Sequence, residues 1–343
     1  MGKLHFDSDY MECAHEDIFK KLEEINYEHL SGYGTDKYTL SAKEKIRAAC
    51  GCENADVYFL VGGTQTNQVM IDSLLAPYEG VISASSGHIG VHEAGAIEFT
   101  GHKVISFSSP DGKLYAEDID AYCKKFNEDE TNEHMVRPGM IYFSYPTEFG
   151  LLYTKKELIE LRKVCDKHGL KIYCDGARLG YGLVSSECDL TLPELANLCD
   201  ALYIGGTKVG AMLGEAVVFA RTKAPSHFVS IIKQHGALLA KGFVAGAEFD
   251  TLFTNDLYFR ISRHAIECAD KLRNAFEEKG YEKYLSSKTN QIFVILNKAK
   301  FEELSKVSSF SVWERLEENR VIVRFVTSWA TKMEDIDTLI SYL

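Results

Sequence analysis

Lys208 stands in ALYIGGTKVGAMLGE, just beyond an apolar run and after two glycines and a threonine. Its neighbours Ile204, Val209, Met212 and Leu213 offer little water, and desolvation lowers an amine toward its nucleophilic free base. Asp175 ends the run KIYC in KIYCDGARLG. A carboxylate at the carboxyl end of a buried strand, where ligands collect in open α/β sheets, can hold a cationic ring nitrogen. Arg178, three residues on, can fork onto a substrate carboxylate. In VYFLVGGTQTNQVMIDSLL, Gly62, Gly63 and Thr64 close a strand and open a helix, whose free N–H groups and dipole favour an anion. The spacing is neither G-x-G-x-x-G nor G-x-x-x-x-G-K-[ST], so dinucleotide and nucleoside-triphosphate sites lose support. Singly, each segment has an ordinary reading: a solvated lysine, a strand-to-loop aspartate, a glycine turn with a threonine cap.

The elements that must position these groups follow from periodicity. Apolar runs at 57–61, 81–84, 104–107, 140–145, 171–174, 201–204 and 215–220 read as strands, separated by amphipathic stretches, which predicts a mostly parallel sheet. In TKKELIELRKVCDKHG, Leu158, Leu161, Val164 and Cys165 share one helical face. Thr154 with Glu157 forms its capping box, and Gly169 its stop. The expected organisation is an N-terminal arm over 1–40, a large domain over 41–250 and a smaller C-terminal α+β domain over 251–343. In the last, a long helix precedes the strand IFVILN, a helix around SVWERLEEN, the strand VIVRFV and a final helix. The arm reads as a short extended piece and one helix, followed by turn-rich SGYGTDKYT, suited to packing on a partner subunit.

Fifty acidic against 38 basic side chains give the 343 residues a net charge of -12, which argues against a nucleic-acid surface. No apolar run approaches a membrane span and the first residues lack a leader's apolar core, so a cytoplasmic soluble protein is expected. Nine cysteines without a C-x-x-C pair predict reduced structural thiols and no metal site.

An anion cradle, a carboxylate for a ring nitrogen and a desolvated lysine match the phosphate, pyridinium and aldehyde of pyridoxal phosphate. The chain resembles the fold-type-I pyridoxal-phosphate enzymes, and within them the threonine aldolase and β-eliminating lyase group. The resemblance rests on FDSD, GGTQTN, GHIGVHEAGAIE, DGARLG, GGTKVGAMLGEAVVF and VRFVTSW, in that order along nearly the whole chain. It implies an aspartate-aminotransferase-like large domain whose Lys208 carries the cofactor, with Asp175 keeping the ring nitrogen protonated and Gly63 and Thr64 on the phosphate. His88 would stack on the ring and share in proton transfer; a helix-start cap is its rival reading, and His92 competes for the catalytic part. Ser8, Arg178 and Arg324 resemble the family's carboxylate grip, Glu93 would orient the cofactor side, and Tyr33 would enter the site.

Two departures stand out. Where many threonine aldolases carry N-T-H-N, this chain reads YPTEFG, with Glu148 available to hydrogen-bond a substrate hydroxyl or act as base. A GGG-x-R-type phosphate-binding arginine is replaced within HGALLAKG, leaving Lys241 as a point charge. The implied reaction is aldol cleavage of a β-hydroxy-α-amino acid such as threonine or allo-threonine, with His88, or a water held by His88 and Glu148, as base. Elimination at Cβ of another amino acid is the alternative. The resemblance also implies a homodimer or homotetramer with shared active sites, Tyr33 or Lys241 being the residue lent between subunits.

Overall fold

The structure, a computed structural model, describes residues 2–343. Its strands are β1 (Leu4–Phe6), β2 (Asp56–Leu60), β3 (Glu79–Ala84), β4 (Val104–Phe107), β5 (Arg137–Ser144), β6 (Lys171–Asp175), β7 (Ala201–Gly205), β8 (Glu215–Phe219), β9 (Glu282–Lys283), β10 (Gln291–Asn297), β11 (Ser308–Arg315) and β12 (Arg320–Val326). Seven of them form a sheet in the order β2-β8-β7-β6-β5-β3-β4. Only β8 runs against its neighbours, as expected of a mostly parallel sheet.

The central strands are apolar throughout because helices cover both faces. Ile141, Phe143, Ile172, Cys174, Leu202 and Ile204 face one core, which also takes Ile46, Leu158 and Leu195 from the helices Lys37–Cys50, Lys155–His168 and Leu192–Leu198. Their neighbours Met140, Tyr142, Tyr173 and Tyr203 face the opposite core with Val69 and Met70 of the helix Gly63–Leu74. Strand alternation therefore turns Asp175, two residues beyond Tyr173, toward the side that the helix Gly63–Leu74 covers. Gly176 lets the chain turn at that point: a Cβ there would lie 1.9 Å from the Tyr203 carbonyl oxygen.

A second sheet, β1-β11-β12-β10-β9, packs its own core of Ile292, Val294, Val323 and Phe325 against the helices Leu257–Glu278 and Met333–Tyr342. Leu4 to Phe6 pair in parallel with Ser308 to Phe310, so the first strand belongs to this sheet. The long helix Leu257–Glu278 joins the two layers. Its Tyr258 and Ile261 lie in the large core, and its Leu272 and Phe276 in the small one.

The helix expected around 311–319 is overturned. Residues Ser308–Arg315 are strand β11, and the helix precedes it at Lys298–Val307. Pairing with β12 on one side and β1 on the other supplies backbone partners that local propensity does not register. Glu318 and Asn319, both at φ 58°, then turn the chain into β12. No helix of the described residues is long and apolar enough to cross a membrane. Cys50, Cys123, Cys165, Cys174, Cys199 and Cys268 are buried free thiols.

The helix Lys155–His168 begins and ends as its sequence dictates. Thr154 and Glu157 cap each other's backbone, and Gly169 closes the helix at φ 70°. Thr154→Ala should cost about 1 kcal/mol, since an N-cap hydroxyl satisfies an otherwise unpaired amide. Urea unfolding should show a lower midpoint at unchanged slope.

Candidate active site

A cavity of about 260 Å³ opens at the carboxyl ends of β5, β6 and β7. Lys208, Asp175 and His88 line it, as do Gly63 and Thr64 from the start of the helix Gly63–Leu74. Arg178 and Glu148 complete the set of sequence-predicted residues on its walls.

Asp175 is buried, and both its oxygens are occupied. Oδ2 accepts from Tyr142 Oη at 2.6 Å and Asn67 Nδ2 at 3.0 Å. Oδ1 accepts from Tyr203 Oη at 2.5 Å and the Ala177 amide at 3.0 Å. Burial pushes the carboxyl up, but the Tyr142 and Tyr203 bonds, the field of His88 and the Asn67 bond outweigh it. The group stays below its ordinary value and remains an anion, as a partner for a protonated ring nitrogen must.

Lys208 follows β7 in a loop folded by Gly210 and Gly214, at φ 86° and 101°. Burial and the Arg178 charge lower its amine, against the pull of Asp9, Asp175 and Glu215. The loop is fastened from behind by Glu248, whose Oε2 accepts the Met212 and Leu213 amides at 3.1 and 3.3 Å.

Gly62 caps the helix Gly63–Leu74 with extended backbone and no side-chain bond. The first helical amides therefore face the cavity without an intrahelical acceptor, which suits a phosphate. With the anionic Asp175 and the desolvated Lys208, these residues fit pyridoxal phosphate.

His88 opens a four-residue helix rather than capping it; Gly87 holds the cap position. Its Nδ1 lies 2.6 Å from Glu93 Oε1, which also accepts from Asn67 Nδ2 at 2.7 Å. Burial opposes a charge on the imidazole, but the Glu93 bond and the fields of Asp175 and Glu93 raise it above its ordinary value. His92 is exposed, its ring centroid 5.6 Å from that of His88. Glu148 Oε1 accepts the His88 amide at 2.9 Å and Ser144 Oγ at 2.7 Å, while burial raises its carboxyl.

The residues expected to grip a carboxylate already hold partners of their own or stand beside one another. Arg178 gives Nε and Nη2 to Asp9 at 2.7 and 3.0 Å, and Asn290 Nδ2 donates to the same Asp9 at 2.8 Å. Ser8, the residue before Asp9, has a buried hydroxyl without a partner. Arg324 donates from Nη1 to Gln291 Oε1 at 3.0 Å and lies 5.6 Å from the Trp313 ring centre. Burial and then the Arg178 charge push it down to about 10, so two cations share this end of the site. Tyr33 and Lys241 stand elsewhere: both are exposed, their segments joined by the Tyr33 amide donating to Ala240 O at 3.0 Å.

Sequence reasoning missed Asp9, Asn67, Tyr142, Tyr203 and Glu215. A signal for the tyrosines exists. IYFS, IYCD and LYIG end three adjacent parallel strands, with Tyr142 opposite Tyr173 and Ser144 opposite Asp175.

A doubly covered, mostly parallel sheet with this cavity at its carboxyl edge is the architecture of the fold-type-I enzymes. Residues 6–299 match the family described as beta-eliminating lyase, and the chain belongs to it. It is 28% identical over 302 residues to a low specificity L-threonine aldolase of Pseudomonas sp., covering 87% of this chain and 86% of that one. A solved Leishmania major threonine aldolase is 38% identical with a TM-score of 0.95, covering 98% of both chains. Sphingomonas wittichii serine palmitoyltransferase, 17% identical with a TM-score of 0.71 over 99% of this chain and 86% of its own, shares the fold.

Glu248 links the Lys208 loop to pH. Burial pushes its carboxyl up to about 7, against the two amide bonds. A raised acid favours folding below its unfolded value near 4.5, and that contribution is lost as pH rises through about 7. Glu248→Gln keeps an acceptor for the amides and cannot ionise. Urea midpoints should show the variant gaining about 1–3 kcal/mol over the parent between pH 5 and pH 8.

Proposed function

We propose that the chain is a pyridoxal-phosphate-dependent threonine aldolase that cleaves threonine or allo-threonine to glycine and acetaldehyde. The observation that carries this reading is the meeting of Lys208, Asp175 and the uncapped helix end at Gly63 on one cavity. The threonine aldolases among its relatives direct the choice of substrate. Elimination at Cβ, with release of ammonia and a keto acid, is not favoured by them.

When bound, pyridoxal phosphate supplies an electron sink for the pair left on Cα as the Cα–Cβ bond breaks. Lys208 would hold its aldehyde carbon, Gly63 and Thr64 its phosphate, and Asp175 its ring nitrogen, with His88 across the ring and Glu93 bracing His88. Arg178, pinned by Asp9, and Arg324 supply the positive field for the substrate carboxylate, with the unpaired Ser8 hydroxyl beside them. The proton of the β-hydroxyl goes to His88, or to a water held by His88 and Glu148. Glu148 is suited to exchange that proton because burial raises its carboxyl above its ordinary value.

Tyr33 and Lys241, exposed and outside their own chain's cavity, would complete the site of a neighbouring copy, Lys241 toward the phosphate and Tyr33 toward the substrate. A homodimer or homotetramer in the cytoplasm, acting on a free amino acid, is part of the same proposal.

Threonine turnover to acetaldehyde is the primary test. Lys208→Ala should lower it by several orders of magnitude and abolish borohydride-reducible attachment of the cofactor, while far-ultraviolet circular dichroism stays unchanged. A borohydride label on another lysine would refute the assignment.

Arg324 gives a second test. A guanidinium offers two parallel N–H bonds to a carboxylate, and lysine offers one mobile charge. Arg324→Lys should lower kcat/KM for threonine by at least ~10-fold, about 1.4 kcal/mol. An amino alcohol without the carboxylate should lose little binding. Equal losses for both ligands would make Arg324 structural.

A further inference from the structure

Glu215 is an acid for which the proposed chemistry has no task. It opens β8, opposite Leu60 of β2 and Gly205 of β7, and is 3% exposed. Its side chain lines the same cavity as Lys208 and Asp175. Oε2 accepts the Gly206 amide at 3.1 Å, and Oε1 accepts Thr207 Oγ1 at 3.0 Å. Thr207 Oγ1 in turn accepts the Gly214 amide at 3.1 Å. The two residues that precede Lys208 are thus tied to Glu215 by both oxygens, and no lysine or arginine of the described residues forms an ion pair with it within the usual 4 Å.

A buried carboxylate without a cation at hand is costly when ionised, and the positive charge whose field opposes that cost here is that of Lys208. We propose that Glu215 is the positioning residue for Lys208: it fixes the backbone that carries the lysine and balances the charge on the lysine nitrogen by holding or releasing a proton of its own. Burial first, with the field of Asp175, pushes its carboxyl up to about 8, against the Thr207 and Gly206 bonds and the Lys208 charge. The two groups therefore titrate as a pair. The other titratable groups facing Glu215 are Asp175 on β6 and the phenols of Tyr173, Tyr203 and Tyr258. Those phenols are raised by burial and stay neutral over the working range, while Asp175 stays ionised. Lys208 and Glu215 are left as the groups that exchange protons.

The assignment rests on Lys208 carrying the cofactor, so borohydride labelling of the loaded wild-type protein comes first; a label on any other residue overturns both readings. The test itself is a pH titration of the visible absorbance of the loaded protein, without any amino acid. That readout stands even if threonine is not cleaved. Glu215→Gln keeps the side-chain shape and its partners on Gly206 and Thr207 but cannot carry charge. It should move the midpoint for the Lys208 nitrogen down by about one pH unit, because an anion nearby favours the protonated nitrogen. A wild-type midpoint in a folded, cofactor-loaded Gln variant would overturn the proposal and leave Glu215 a loop fastener. If the Gln variant does not fold, Glu215→Asp replaces it. The carboxylate, withdrawn by one methylene, should lower the midpoint by a smaller step, and an unchanged midpoint again overturns the inference.

Discussion

The anion at Asp175 is the constraint on which the rest of the site depends. A carboxylate out of reach of water is expensive, and it remains ionised only if the protein supplies the donors that water would have given. Tyr142, Tyr203, Asn67 and the Ala177 amide supply them from β5, β7, the helix Gly63–Leu74 and the turn after β6. Each donor must be held within a few tenths of an ångström, so strand register and helix placement are fixed by one buried charge as much as by apolar packing. Asn67 extends the arrangement outward: it donates to both Asp175 and Glu93, and Glu93 in turn holds His88. Asp175 and the imidazole of His88 are thereby parts of one hydrogen-bonded chain.

A second charge pattern lies where the two sheets meet. Asp9 follows the first strand, Arg178 follows β6, and Asn290 precedes β10, and the three converge on one buried ion pair. This orients Arg178 before any ligand arrives, which reduces the ordering cost of binding. Arg324 adds a like charge nearby, opposed by the field of Asp9, with a hydrogen bond to Gln291 and the Trp313 ring beside it. Two cations in a partly dry setting repel each other, as the lowering of Arg324 by the Arg178 charge records. The N-terminal segment is therefore part of the site's electrostatics through Asp9, beyond its place in the smaller sheet.

The lysine loop shows how backbone and charge are set together. Positive φ at Gly210 and Gly214 folds the segment back on itself, and the buried acids Glu215 and Glu248 accept its amides from either side. Both acids are raised by their burial. The amine of Lys208 is lowered by its own burial and by the Arg178 charge, against the pull of Asp9, Asp175 and Glu215.

What the sequence by itself determined is whatever a strand, a turn or a helix end decides locally. The apolar runs 81–84 and 201–204 became strands within a residue or two, because inner strands covered on both faces are written as continuous apolar segments. Thr154, Glu157 and Gly169 bounded their helix because caps act within one turn. Lys208, Asp175 and Gly63 were legible because each follows a strand end, and parallel strands present those ends on one edge of the sheet. Only the tertiary structure decided who meets whom. Asp9 reaches Arg178 across 169 positions, and Tyr203 and Asn67 reach Asp175 across 28 and 108. Residues 308–315 became a strand because β1 and β12 lie on either side of them, a pairing no local window contains. The segments of Tyr33 and Lys241, 208 positions apart, meet on the surface through the Tyr33 amide and Ala240 O. The reason is the same in each case: propensity and capping are set by residues a few positions apart, whereas a buried charge takes its partners from whichever strands the topology places beside it.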